Sequence, residues 1–219
     1  MKNQLIKTLA VLGLFAVASL QLACGGLVDP ALAQDPSATV VPFGAGDVVL
    51  EFVGAVINPS PTTSNQYGYF TKIGSIDPLF SSSTQDQTTA LYTFFTQATT
   101  TQVITQGTLK IVSRQGVTTV YTNNSSPLDF TNPASFQSGT PILVSSMKQQ
   151  VILDLVDGHF SVVNVNTITS TSPFTVGGGQ VVVGHAGDQF RTTIYGRTNA
   201  TAPPGFFMAG YAVGIPPSK

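Results

Sequence analysis

From about residue 40 onward, short runs of Val, Ile, Thr, Phe and Tyr alternate with clusters of Gly, Pro, Asn and Asp. β-Branched and aromatic residues favour strands, and the interrupting residues favour turns. Almost no stretch repeats apolar residues three and four positions apart, as a helix would. The pattern therefore predicts strands near residues 47–57, 67–76, 89–99, 102–113, 117–122, 140–156, 159–170, 180–184, 188–198 and 206–213.

A series of about ten strands in one continuous region predicts an all-β domain. We expect a single antiparallel β-barrel of about 8–10 strands, of the kind that holds a small ligand, with a two-sheet β-sandwich as the alternative. The domain is predicted to span 47–215, with 34–46 as a flexible lead-in and 58–66 as a connection. No fixed repeat period is present, which argues against solenoids and propellers.

Turn residues predict two hairpins. Arg114-Gln115-Gly116 is expected to join Gly107–Ser113 to Val117–Thr122. Asp157-Gly158 is expected to join two long strands through a two-residue turn, because Asp and Gly tolerate positive φ. Since strand side chains alternate between faces, this second hairpin predicts one largely apolar face. Its members are Met147, Gln149, Val151, Leu153, Leu155, Phe160, Val162, Asn164, Asn166 and Ile168.

Three amide side chains interrupt the middle of that face: Gln149, Asn164 and Asn166. Buried amides need hydrogen-bond partners, so a polar stripe on a core face indicates an interior cavity, water or a bound ligand. The alternative is a position near the rim, in contact with water. We take these three residues as candidate ligand-binding residues.

Glu51 is the only glutamate in the chain, and it lies within the apolar run Val48–Val53. If its side chain faces the interior of a barrel, it is a candidate catalytic general acid or base. Both faces of this strand are apolar, so alternation does not decide its direction. The alternative is a rim carboxylate paired with Lys or Arg.

Two arginines, Arg191 and Arg197, lie six residues apart on one face of a predicted strand. Arginine binds anionic groups, which makes both candidate ligand-binding residues, although a salt bridge to Asp or Glu51 is the commoner outcome. His185 and Asp188 are a candidate histidine–carboxylate pair, and a turn that uses Gly and Asp for its geometry explains the same residues.

Charged residues make up only 9% of the chain, against roughly 25% in ordinary globular proteins. Thr, Ser, Gln and Asn replace them, which suits an extracellular or envelope protein, or one that associates with copies of itself. No basic cluster is present, so nucleic acid is not an expected partner. No phosphate-binding loop, dinucleotide fingerprint or metal-binding motif occurs, so we expect neither cofactor nor metal.

The first 33 residues have the organisation of a secretion signal peptide. Lys2 and Lys7 precede the apolar run Leu9–Leu20, and Ala31-Leu32-Ala33 matches the small-residue pattern of a cleavage site. The alternative is a lipoprotein acylated at Cys24, the only cysteine. We therefore expect an exported protein, periplasmic or extracellular, that is anchored to the outer membrane only if Cys24 is lipidated.

Three functional hypotheses follow. The first is a secreted or envelope domain that binds a small molecule or a glycan, or has a structural role, without catalysis. The second is a cofactor-free isomerase or cyclase with Glu51 in the barrel interior. The third is a self-assembling fibre subunit in which 34–46 supplies a strand to a neighbour. The long middle strands and the polar stripe are similar to small eight-stranded barrels such as dirigent and allene-oxide-cyclase-like proteins, a likeness of fold that fixes no function.

Overall fold

The computed structural model describes residues 37–123, 127–198 and 206–216. The predicted signal peptide, its cleavage site after Ala33 and the alternative lipidation site at Cys24 lie outside these residues. The described strands are β1 (Thr39–Val41), β2 (Val48–Ser60), β3 (Thr63–Ile73), β4 (Tyr92–Gln106), β5 (Leu109–Thr122), β6 (Thr140–Asp154), β7 (His159–Thr171), β8 (Phe174–Val176), β9 (Gly179–Val183), β10 (Gln189–Thr198) and β11 (Phe206–Ile215).

Eight of these strands close into an antiparallel barrel. The order is β2-β3-β4-β5-β6-β7-β10-β11, and β11 pairs back to β2. The prediction of an all-β antiparallel barrel is confirmed, and the two-sheet sandwich is not formed. Closure gives every strand of the barrel two hydrogen-bonded neighbours, so no barrel edge is exposed to another chain.

A small second sheet, in the order β1-β9-β8, packs at the end of the barrel where β2 begins and β3 ends. The ring centroids of Phe43 and Phe190 lie 4.9 Å apart, and those of Phe174 and Tyr92 lie 5.8 Å apart. All four rings are buried in the main core. This end of the barrel is therefore closed by apolar packing, and we call it the closed end.

The turn between β4 and β5 differs from the prediction. It lies at Gly107-Thr108, where Gly107 has φ 59°, and β5 continues through Arg114-Gln115-Gly116 without a break. A Cβ at Gly116 would collide with the backbone of Gln97 on β4. This glycine therefore marks a close approach of two strands, which sequence inspection does not distinguish from a turn.

The connection between β6 and β7 is also longer than predicted. Four residues, Leu155–Gly158, separate the strands, instead of the two-residue turn Asp157-Gly158. The two-residue turn predicts that Gln149 pairs with Asn166, whereas in the structure Gln149 pairs with Asn164. Because the shift is an even number of residues, the predicted faces are preserved. Only Leu155 leaves the apolar face, since it lies in the turn and is 50% exposed.

A second core lies on the outside of the barrel, against β3 and β4. The described residues after β5 include a 3-10 helix at Pro133–Gln137. Its Phe136 is fully buried, with ring centroids 5.2 Å from Tyr67 and 4.9 Å from Phe130. The Tyr67 hydroxyl donates a 3.0 Å hydrogen bond to the Phe130 carbonyl. This segment thus covers an apolar stretch of the outer wall.

Candidate functional site

The half of the barrel interior next to the closed end is filled by aromatic side chains. Phe94 lies 5.1 Å from Phe52 and 5.4 Å from Phe70 between ring centroids. Its ring also covers the directly paired glycines Gly54 and Gly68, where a Cβ would meet backbone and ring atoms. Eight-stranded barrels have an interior just wide enough to be filled by side chains or to hold one small ligand. This half is filled except for a small cavity of about 40 Å³.

The middle of the interior holds a set of paired amides, Gln66, Gln149 and Asn164, which we call the amide cluster. Gln66 Nε2 donates to Gln149 Oε1 at 3.1 Å, and Gln149 Nε2 donates to Gln66 Oε1 at 3.2 Å. Gln149 Nε2 also donates to Asn164 Oδ1 at 3.0 Å. All three residues are 4–5% exposed. Both donor hydrogens of Gln149 are therefore used, which fixes the direction of its amide.

Below the amide cluster, towards the closed end, two further polar pairs lie in the interior. Asn166 Nδ2 donates to Thr192 Oγ1 at 3.0 Å, and the hydroxyls of Thr96 and Thr118 are 2.8 Å apart. These residues border a small cavity of about 40 Å³. The polar stripe predicted from the sequence is thus an interior feature with satisfied hydrogen bonds, not a wet rim.

Arg114 reaches the amide cluster from β5. Its Nη1 donates to Gln149 Oε1 at 3.3 Å, and its Nη2 donates to Asn58 Oδ1 at 3.2 Å. The Nε–H is buried and has no hydrogen-bond partner among the described residues. Burial lowers the pKa of Arg114 below its ordinary value, although a guanidinium remains charged at neutral pH.

A larger cavity of about 180 Å³, the mouth cavity, opens at the opposite end from the small sheet. Its apolar walls are Val56, Val112, Val151, Leu153, Phe160, Val162 and Met208. Its polar lining is Asn58, Gln66, Lys110, Arg114, Gln149 and Thr198. Lys110 pairs with Leu153 near the hairpins, whereas Arg114 pairs with Gln149 in the middle of the sheet. The amide cluster and Arg114 therefore form the floor, and Lys110 lies near the rim.

The charge around the mouth cavity is one-sided. Its lining contains two cationic side chains, Lys110 and Arg114, and no Asp or Glu. Within the part of the chain that the structure describes, the close contacts between a basic and an acidic side chain are those of His159 with Asp157 at 2.7 Å and of His185 with Asp188 at 3.6 Å. Both involve exposed side chains outside the cavity. Neither cation of the mouth cavity thus has a carboxylate partner in the described residues.

The structure brings together three of the predicted site residues and separates the others from them. Gln149, Asn164 and Asn166 are buried in the interior. Arg191 and Arg197 are exposed on the outer face of β10 and do not line either interior cavity. Their strand alternates, and the inward positions are taken by Phe190, Thr192 and Ile194.

Glu51 is likewise on the outside, so the condition for its candidate catalytic role, a side chain that faces the barrel interior, is not met. Its neighbours Leu50 and Phe52 are 5% and 7% exposed and occupy the inward side, so Glu51 faces solvent. It lies opposite Tyr211 on β11 and Lys72 on β3.

The residues that the sequence analysis missed are Gln66, Lys110 and Arg114. The first was assigned to a connection, and the last to a turn.

The remaining candidates form local turn contacts. The backbone N–H of His185 donates to Asp188 Oδ2 at 2.8 Å, which is the geometry expected of a turn residue. In residues 37–123, 127–198 and 206–216, no group of three or more His, Cys, Asp or Glu side chains is arranged to hold a metal ion. No helix of these ranges is long and apolar enough to cross a membrane.

No family model matches the chain, and no match was found among curated proteins or solved structures. The class of protein is therefore defined by the fold and the interior alone. It is an eight-stranded up-and-down β-barrel with one apolar closed end and one open cavity that has a polar, cationic floor.

Proposed function

We propose that the protein binds a small molecule in the interior of the barrel without converting it, and that it does so outside the cytoplasm. The observation that carries the binding proposal is the mouth cavity, with apolar walls and a few converging polar groups on its floor. Binding sites for small molecules have this composition. Export rests on the signal-peptide pattern of residues 1–33.

The volume of the mouth cavity limits the size of the ligand. Sites for drug-sized molecules usually measure about 300–1,000 Å³. An engineered apolar cavity of about 150 Å³ in another protein binds benzene. A cavity of about 180 Å³ therefore fits a single ring or a short alkyl chain. Because the cavity is open at one end, a longer substituent can extend into solvent.

The lining argues for binding rather than catalysis. Among the residues that border the two interior cavities there is no Asp, Glu, His, Cys or Tyr. These side chains, with Lys, perform most general acid–base steps, and the one lysine in the described lining, Lys110, lies near the rim of the mouth cavity. The enzyme hypothesis relied on Glu51, which is on the outer face. The fibre hypothesis needs a free strand from 34–46, and β1 already pairs with β9 of the same chain.

The test compares two adjacent residues of β7 that point in opposite directions. Val162 lines the mouth cavity and is 5% exposed, whereas Val163 is on the outside and 43% exposed. A larger side chain at Val162 fills the cavity, and the same change at Val163 does not. The matched variants are Val162→Phe and Val163→Phe, with circular dichroism as the check of folding, because overpacking costs about 1–3 kcal/mol.

Methyl NMR spectra of the wild-type protein are recorded with single-ring and short-chain compounds, both neutral and anionic. We expect at least one compound to shift the methyl signals of Val112, Val151 and Val162 more than that of Val163, and Val162→Phe to abolish the effect. Binding that persists in Val162→Phe, or the absence of any shift at these methyls across the panel, would contradict the proposal.

A further inference from the structure

We propose, given the interior binding just described, that the ligand is an amphipathic acid whose carboxylate is bound by Arg114 on the floor of the mouth cavity. Its ring or alkyl chain lies between this residue and the open end. The inference rests on three observations: the unused donors of Arg114, the absence of acidic residues around it, and the position of the apolar walls.

The hydrogen bonding of Arg114 is incomplete. A guanidinium has five N–H donors, and the structure gives two of them to the neutral amide oxygens of Gln149 and Asn58. The buried Nε–H has no partner among the described residues. Buried donors without partners are rare in proteins and are costly. Because the Nε–H is shielded from the cavity, the donors left for a ligand are the second N–H groups of Nη1 and Nη2. A carboxylate accepts two parallel N–H bonds from a guanidinium, so it fits these two donors.

The charge of Arg114 is also uncompensated. Its surroundings in the mouth cavity are Val, Leu, Met, Phe and neutral polar side chains, together with a second cation, Lys110. A half-buried cation without a counter-charge is unfavourable unless an anion completes the site. Lys110 faces the same cavity four residues closer to the hairpin, or about 13 Å along the strand. It adds to a positive potential that attracts an anion to the opening.

The amide cluster holds the guanidinium in place. Gln149 Nε2 donates to Gln66 and Asn164, so its Oε1 is directed to Gln66 Nε2 and Arg114 Nη1. The direction of the Gln149 amide is thus set by its two acceptors. Gln66, Gln149 and Asn164 are positioning residues for Arg114, and no contact with the ligand is required of them.

The apolar walls define the rest of the ligand. Val112 lies between Arg114 and Lys110 on β5, and Val151 and Val162 line the same level of the cavity from β6 and β7. Phe160 lies two residues nearer the hairpins, level with Lys110. A molecule that enters with its carboxylate first therefore places its apolar part against these residues. An arylalkanoic acid with one ring, or a fatty acid of about six to eight carbons, matches the volume.

The experiment uses pairs of compounds that differ only in charge: phenylacetate with phenylacetamide, and hexanoate with 1-hexanol. Affinities are measured by titration calorimetry with the wild-type protein, Arg114→Met and Arg114→Lys. The control is Lys148→Met, which removes a cation from the exposed outer face of β6. We expect the wild type to bind each acid about tenfold or more tightly than its neutral counterpart.

In Arg114→Met the preference for the acid is expected to vanish while the neutral compound binds as before, and Lys148→Met is expected to keep the preference. Arg114→Lys, which keeps the charge but loses the planar fork, should retain part of it. If the neutral compounds bind in the cavity as tightly as the acids in the wild type, the inference is wrong and the proposed function stands. If no compound binds in the cavity, the proposed function itself fails, and the inference with it.

Discussion

Replacement of Gln149 by leucine tests the amide cluster directly. Gln149 exchanges two hydrogen bonds with Gln66, donates to Asn164 and accepts from Arg114. Leucine occupies a similar volume, so Gln149→Leu leaves little new cavity. It does remove one partner from each of three residues, two of which lie deep in the barrel. The change therefore isolates the cost of unsatisfied buried amides.

The magnitude follows from the burial of the partners. Gln66 and Asn164 are 4% and 5% exposed, so water replaces Gln149 poorly there. Each buried polar residue left without its partner costs about 1–3 kcal/mol. Arg114 is half-buried next to the open cavity and recovers its bond through water. The methyl groups of leucine return about 1–2 kcal/mol at about 0.8 kcal/mol per carbon. We expect a net loss of about 1–4 kcal/mol.

Urea unfolding monitored by circular dichroism measures this loss. An unchanged slope of the free energy of unfolding against urea concentration shows that both proteins undergo the same unfolding transition. The control is Gln150→Leu, because the next residue of β6 is exposed on the outer face. We expect a change within about 0.5 kcal/mol for the control. The double variant Gln66→Leu with Gln149→Leu should lose less than the sum of the single changes, because the two amides are partners. Equal stability of Gln149→Leu and Gln150→Leu would refute the assignment of a dry, mutually bonded cluster.

Two further predictions concern the outer core. Phe136→Ala should lower the free energy of unfolding by about 3–5 kcal/mol, because the fully buried ring packs on Tyr67 and Phe130. The control is Val103→Ala, at a 49% exposed site. A similar small loss of stability in both variants would be inconsistent with this core. Burial, with a smaller contribution from Asp129, raises the pKa of Tyr67 from 10.0 to about 12. The stability that the neutral phenol provides is complete below pH 10 and is lost as the pH rises towards 12. As the pH rises from 10 towards 12, the urea concentration at the midpoint of unfolding should fall less in Tyr67→Phe than in the wild type. An equal fall in both proteins would disprove the raised pKa of Tyr67.

Local pattern was sufficient to predict an all-β domain and the two faces of the β6–β7 hairpin, but it divided β4 and β5 at the wrong residues and missed the short strands β1 and β8. Side chains alternate between the two faces of a strand, so an error of two residues in the register moves no residue to the other face. Gln149 and Asn164 were therefore predicted on the correct face, although the turn was predicted wrongly. Turn positions were less predictable. Gly107 makes a turn with positive φ, whereas Gly116 allows two strands to approach, and both are simply glycines in the sequence.

The parts of the site that sequence analysis missed depend on closure of the barrel. Arg114 shares one face of β5 with Val112 and Val120, a period-two pattern that becomes visible only when residues 109–122 are treated as one strand. Glu51 lies between two apolar residues on each side, so its direction was undetermined until β11 paired with β2. Long-range pairing decides which side of a strand becomes the interior, and no local signal encodes it.

The contrast between the aromatic half of the interior and the half that contains polar side chains supports a role of those polar side chains in function. Phe52, Phe70 and Phe94 show that this barrel can be filled by apolar side chains. A buried polar or charged network can often be replaced as a whole by apolar packing of equal volume without loss of stability, whereas removal of a single member leaves its partners unsatisfied. Stability alone therefore does not require the network of Gln66, Gln149, Asn164 and Arg114. An acidic ligand that binds as proposed also stabilises the fold, because a ligand that binds only the folded state raises the free energy of unfolding by RT ln(1 + [L]/Kd). Hexanoate and phenylacetate should therefore raise the melting temperature of the wild type more than 1-hexanol and phenylacetamide do, and this difference should vanish in Arg114→Met.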